Sequence, residues 1–256
     1  MLLNTVTHGA GGNFPALLIV HGLFGSARNW GVIAKRMASD RQVLAVDMRN
    51  HGDSPFTERH RYPDLAGDLA RVIEAHGVPM DVLGHSMGGK AAMWLALTRP
   101  DLVNRLVVAD IAPVGYGHSQ QHLIEAMQAL PLEGLTSRAE ADAALAAHID
   151  EPAVRAFLLQ SLDLRSERPR WRLNLPVLSA EMTHVIGWPD PAALAPYEGP
   201  ALFLAGAMSD YVRPEHRPGI RALFPGAHMA KLSGAGHWLH AEKPREFEQV
   251  LRGFLT

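Results

Sequence analysis

Short apolar runs alternate with longer amphipathic stretches along most of the chain. The runs are Ala16–Val20, Gln42–Val46, Asp81–Leu83, Leu106–Ala109, Ala201–Ala205 and Met229–Leu232. Runs of this kind are buried on both faces, as the strands of a parallel sheet are. The stretches between them carry helix ends. Ser26 precedes Asn29–Ala38 as a cap, Pro63 stands in the first turn of Asp64–His76, and Gly77 follows as a stop. Met87–Thr98 ends before Pro100, and Pro214–Leu223 and Pro244–Leu255 form the last two helices. This alternation predicts an α/β protein with a mostly parallel, doubly wound central sheet flanked by helices.

The alternation breaks between Ala112 and Pro200. Strand-like runs vanish there, and helical patterns take over in Gln120–Leu130, Arg138–His148, Pro152–Ser161 and Pro176–Ile186, with Trp171–Leu175 as a short link. The segment is too long for a loop without structure of its own. It reads as a helical cap (residues 112–199) inserted into a core made of residues 1–111 and 200–256. Such an insertion sits over the carboxyl ends of the strands, where open α/β sheets place their ligands.

Composition narrows the function classes. The 256 residues carry 24 Lys+Arg against 26 Asp+Glu, a net charge of −2, with no basic stripe. A nucleic-acid partner is therefore not expected. The absence of cysteine excludes disulfides, thiolate catalysis and cysteine–zinc sites. No apolar run approaches the ~20 residues of a membrane helix. The first basic residue is Arg28, so the N-terminal stretch lacks the charged head of a secretory signal, and the expectation is a cytoplasmic protein.

Three glycine-rich strand ends carry chemistry. Gly84-His85-Ser86-Met87-Gly88 follows one strand and opens the helix Met87–Thr98, the context a nucleophile elbow requires. The turn lifts the Ser86 hydroxyl off the sheet, and the Met87 N–H at the helix N-terminus faces a developing oxyanion. His21-Gly22-Leu23-Phe24-Gly25 follows the first strand and offers the Leu23 N–H as second oxyanion donor. His21 itself reads as a loop brace. Gly234-Ala235-Gly236-His237-Trp238 follows the last strand and supplies His237 as general base, ahead of His240. His118 and His122 have metal-compatible spacing, but no carboxylate completes a site. No metal and no cofactor are expected. The acid that orients His237 is open between Asp110, which ends one strand, and Asp210, which follows the next. The usual spacing after Gly206 puts Ser209 in the acid's slot and Asp210 one place late, which favours Asp110.

Four strings together resemble the YbfF-type esterases of bacteria and their mitochondrial relatives in animals: Asp47-Met48-Arg49-Asn50-His51-Gly52-Asp53-Ser54, Gly84 to Lys90, Val108 to Pro113, and Gly236 to Pro244. The likeness runs along essentially the whole chain. It implies hydrolysis of short-to-medium acyl esters, with acyl-CoA thioesters as further substrates, through Ser86 and His237. It also favours the acid at Asp110, because such relatives generally lack one at the position of Asp210. Carbon–carbon bond hydrolases and cofactor-free perhydrolases share the triad, and binding proteins with little turnover share the fold. An intact Ser, His and acid set speaks against the last, and a serine in the elbow speaks against a dehalogenase. The Arg49-Asn50-His51 loop is either a polar wall of the site or, preferred, a brace for buried backbone groups. In the cap, Met127, Leu130, Phe157, Leu158, Trp171 and Trp188 either line an acyl pocket or, for most of them, form the cap's own core.

Overall fold

The computed structural model describes residues 1–256. Its central sheet has seven strands: β1 (Thr5–His8), β2 (Leu17–Val20), β3 (Val43–Val46), β4 (Met80–His85), β5 (Val103–Ala109), β8 (Ala201–Gly206) and β9 (His228–Leu232). Their spatial order is β1-β3-β2-β4-β5-β8-β9. All pairs are parallel except β1 with β3. The six expected runs are the six parallel strands. β1 escaped the sequence reading because its Thr-Val-Thr-His is a short, half-exposed edge segment with no apolar run.

Side chains divide by strict alternation. Leu18, Val20, Val82, Leu106, Val108 and Phe203 enter one core, with the helices α2 (Tyr62–His76) and α3 (Met87–Thr98). Leu17, Ile19, Leu83, Val107, Leu202 and Leu204 enter the other, with α1 (Gly31–Met37) and α11 (Pro244–Leu255). The period of two thus makes both faces apolar and both covered. α2 stops at Gly77, whose φ of +90° only glycine adopts freely.

Between β5 and β8 run the helices α4 (Gln121–Ala129), α5 (Arg138–Leu145), α6 (Pro152–Leu158), α7 (Leu175–Ala180) and α8 (Met182–Ile186). Two expectations fail here. The inserted segment is not wholly helical: β6 (Leu162–Asp163) and β7 (Arg170–Trp171) form a small antiparallel ribbon. Two-residue strands have no periodicity to detect. The helix expected over Pro176–Ile186 is divided at Glu181. The remaining helices of the core are α9 (Arg217–Leu223) and α10 (Leu239–Glu242). Buried side chains of the insertion, among them Ile124, Met127, Leu158 and Leu178, are continuous with the core over α2 and α3. A buried lysine also joins the two parts. Lys90 of α3 donates from Nζ to the carbonyls of Ile186 at 2.9 Å and Gly187 at 2.6 Å. Its ammonium stands over the Tyr116 and Tyr62 rings, and burial lowers its pKa to about 7.

Candidate active site

The strand ends β2, β4, β5, β8 and β9 open on one edge of the sheet, and the sequence-selected residues meet there. The elbow is built by exclusion. A Cβ on Gly84 would stand 2.3 Å from the Gly88 carbonyl oxygen, and one on Gly88 would stand 2.4 Å from the His21 oxygen. Only glycine fits at either place, so the chain can turn from β4 into α3 within one residue. That residue, Ser86, takes φ +53° and ψ −121°, a strained conformation for a side-chain-bearing residue. It is held by its N–H to the Ala109 carbonyl at 3.0 Å and by the Lys90 N–H to its own carbonyl at 3.0 Å.

A line of hydrogen bonds leaves the Ser86 hydroxyl. Ser86 Oγ lies 3.1 Å from His237 Nε2, and His237 Nδ1 lies 2.7 Å from Asp110 Oδ2. Asp110 accepts from Nδ1–H, which leaves Nε2 with the lone pair facing the serine. Asp110 is fully buried and takes φ +53° just past the end of β5. Its other oxygen accepts the Gly206 N–H at 2.9 Å. Asp210, the alternative acid, is exposed, and only its backbone carbonyl is engaged, by Arg213. Ser209 has a part that sequence reasoning did not give it. Its hydroxyl donates to Asp110 Oδ2 at 2.5 Å, so the slot one residue before Asp210 holds a donor to the acid.

Two further partners of His237 were also missed. The Tyr211 ring stacks on it at 4.1 Å. His85, the second residue of the elbow, donates from Nε2 to the His237 carbonyl at 2.8 Å, fixing the loop that carries the imidazole. Position inside the elbow was the signal for His85. For Tyr211 the sequence offered none. His240 is not near Ser86 Oγ in hydrogen bonding: it is buried and stacked on Trp30 at 3.9 Å, and burial takes its pKa down to about 3.

The two N–H groups chosen as oxyanion donors are free of internal acceptors by construction. Met87 opens α3, where first-turn N–H groups lack a helical partner, and Leu23 N–H has no partner in the chain. His21 braces the loop, as read: its Nε2 accepts the Met48 N–H at 2.9 Å and its Nδ1 donates to the Gly22 carbonyl at 2.7 Å. Asp47 and Arg49 are likewise braces. Asp47 accepts the Ala27 and Asp53 N–H groups, and Arg49 is paired with the buried Asp68 at 2.7 Å. His118 lies at the site's rim against Tyr211; no cluster of three metal-ligating groups includes it or His122.

Ser86 and His237 open into a cavity of about 300 Å³, mostly apolar, lined by Tyr62, Ile111, Tyr116, Leu123, Val154, Val185 and Ile186 among others. Of the cap residues considered from sequence, Phe157 alone lines it. Met127, Leu130, Leu158 and Trp171 are buried in the common core, and Trp188 packs on Trp94 and Tyr62. Phe157 meets Trp238, which also lines the cavity, at 5.5 Å.

A serine on a strained elbow, an imidazole from the last strand's loop and a buried carboxylate define the architecture of an α/β hydrolase. The alpha/beta hydrolase fold family matches residues 15–244, and the chain belongs to it. Within that superfamily it is one of the YbfF-type esterases, a hydrolase. It is 39% identical to the esterase YbfF of Escherichia coli over 95% of this chain and 94% of that one. It is 42% identical to the sn-1-specific diacylglycerol lipase ABHD11 of Mus musculus, over 94% of this chain and 81% of the relative. A solved marine microorganism esterase superposes with a TM-score of 0.94 at 36% identity, covering 99% of both chains.

Proposed function

We propose that this chain hydrolyses short-to-medium acyl esters, and acyl-CoA thioesters with them, through an acyl-enzyme on Ser86. The observation that carries the reading is the unbroken line Asp110–His237–Ser86 at the mouth of an apolar cavity. Ser86 Oγ attacks the acyl carbonyl as His237 Nε2 takes its proton, and Asp110 holds the tautomer and stabilises the imidazolium. The Leu23 and Met87 N–H groups receive the oxyanion. His237 then returns the proton to the leaving alcohol or thiol. Water, activated by the same imidazole, releases the acid. Residues 112–199 act as the cap that closes over the acyl chain. The esterase and lipase names of the relatives support this substrate class.

A fluorophosphonate probe tests the nucleophile: one label on Ser86 is expected, and a purified, folded protein that stays unlabelled overturns the assignment. The acid is tested by a pair of variants. Asp110→Asn should lose ~10³–10⁴-fold in kcat because the imidazole loses its orienting charge, while Asp210→Asn, exposed and without side-chain partners, should keep the wild-type rate. The reverse order of loss would move the role to Asp210. Substrate length is read from p-nitrophenyl esters running from acetate to dodecanoate. Truncating Phe157 to Ala should displace the preferred chain length upward, whereas Trp188→Ala should leave the profile where it was. An unchanged profile for Phe157→Ala removes that ring from the acyl path.

A further inference from the structure

The chain has four residues other than glycine with positive φ: Phe24, Asn50, Ser86 and Asp110. Two belong to the hydrogen-bonded line described above. The other two lie on the loop after β2 and on the Asp47–Ser54 string, and they touch the same device. Phe24 has φ +63°, an outlier conformation for a bulky side chain, which persists only where neighbours hold it. Two side chains do so, from opposite directions. The Phe24 N–H donates to His51 Nε2 at 3.2 Å, and the Phe24 carbonyl accepts the Ser161 hydroxyl at 2.9 Å. His51 is completely buried, and its Nδ1 donates to the Arg49 carbonyl at 2.9 Å, so its tautomer is set with the lone pair toward Phe24. Burial, with His21 and His60 nearby, keeps it neutral by holding its pKa well below the usual value.

The peptide that His51 grips is the one joining Leu23 to Phe24, and its plane fixes ψ of Leu23. The adjoining peptide carries the Leu23 N–H. We propose that His51 and Ser161 are positioning residues that clamp Phe24 in its left-handed conformation and so aim the Leu23 N–H at the oxyanion. This inference rests on the reading of Ser86 as nucleophile given above. The clamp has one jaw in each part of the molecule. His51 comes from the core, Ser161 from the inserted segment. The His51 loop is itself sewn to that segment: Gly52 N–H donates to the Arg172 carbonyl at 2.8 Å, Asn174 N–H to the Asn50 carbonyl at 2.9 Å, and His51 bridges Leu173 antiparallel. The seating of the cap therefore sets the geometry of an oxyanion donor that the cap does not contain. The Asp47–Ser54 string acts on the reaction through this contact, beyond bracing backbone.

The experiment compares His51→Leu, His51→Gln and Ser161→Ala on p-nitrophenyl butyrate, with a trifluoromethyl ketone analogue as a probe of the oxyanion site. The ketone binds covalently as a hemiketal oxyanion and so reads donor alignment, while KM reads the pocket. His51→Leu should lower kcat by ~10²–10³-fold with KM little changed, the loss typical of one misaligned oxyanion donor. The ketone's inhibition constant should rise in step with the fall in kcat/KM. His51→Gln places an oxygen acceptor near the position of Nε2 and should recover to within ~10-fold of wild type. Ser161→Ala should lose ~3–10-fold in kcat through small misplacement. Should His51→Leu fail to fold, the glutamine and alanine variants carry the same comparison. The inference is overturned if His51→Leu folds and keeps its kcat, if the loss falls on KM alone, if ketone binding is unmoved, or if Ser161→Ala is indistinguishable from wild type. Ser86→Ala run alongside separates the two levels. An active Ser86→Ala sinks the nucleophile itself, whereas an inactive one beside a fully active His51→Leu sinks only the clamp.

Discussion

Ser86→Ala is expected to lower kcat on p-nitrophenyl butyrate by ~10⁴-fold or more while the protein stays folded. The expectation follows from where Oγ sits. Its hydrogen bond is to His237 Nε2, so its removal takes away the attacking atom and leaves the structural bonds of the elbow to the backbone of residues 86, 90 and 109. Alanine inherits φ +53° and brings no new steric demand. The residual rate should come from the oxyanion donors and the pocket, which still bind the developing charge. Groups that act as a unit are non-additive. Ser86→Ala combined with His237→Ala should thus be scarcely slower than Ser86→Ala alone. Steady-state rates together with near-ultraviolet circular dichroism check both statements. A folded Ser86→Ala protein with wild-type turnover would end the assignment.

The second large effect is acid lability. Five histidines are buried around the sheet edge and held below the ordinary imidazole pKa, in each case chiefly by burial: His21, His51, His60, His85 and His240. For His60 and His240 burial takes the value down to about 3. Protonation is also chemically opposed at two of them. Nε2 of His21 and of His51 accepts a backbone N–H, and a proton there would set donor against donor. The sign follows from linkage. The unfolded chain binds these protons near pH 6.5 and the folded chain does not, so stability rises with pH across this range and is lost as pH falls below 6.5. Each group contributes ~1.4 kcal/mol per pH unit to that slope at most. Against a typical domain stability of ~5–15 kcal/mol, a slope to which several buried histidines contribute makes acid a strong destabiliser of this fold. Urea unfolding at intervals from pH 8 to 5, where most carboxylates stay ionised, measures the slope. His240→Gln should reduce it by up to one proton. A stability that is flat between pH 7 and 5 contradicts the expectation.

The residues that the sequence made legible share one property: each is named by its immediate neighbours in the chain. Glycines on both sides of Ser86, a strand before it and a helix after it are local facts. The same holds for His237 in its glycine-rich loop. The acid was less legible because Asp110 and Asp210 both satisfy chain order, and the choice rests on which carboxylate is turned toward the imidazole. The structure has Asp110 at 2.7 Å from His237 Nδ1 and Asp210 in solvent. The cap residues were less legible still. Trp188 and Phe157 have similar apolar character, yet one packs on Trp94 and the other lines the cavity. No period distinguishes a ring that packs on the helices of the core from one that faces a void.

The mostly parallel sheet follows from the chain's own pattern, through short, predominantly apolar runs, and so do the glycine-rich strand ends, through glycines that only a sharp turn needs. Those are short-range demands, written within a few residues. Tertiary structure alone decided which distant side chains meet: Ser209 on Asp110, Tyr211 on His237, His85 on the His237 carbonyl, and His51 with Ser161 on either side of Phe24. The physical reason is that hydrogen bonding and stacking act over a few ångströms in space. Residues separated by more than twenty positions leave no mark of that proximity until burial of the two apolar cores has brought the strand ends together.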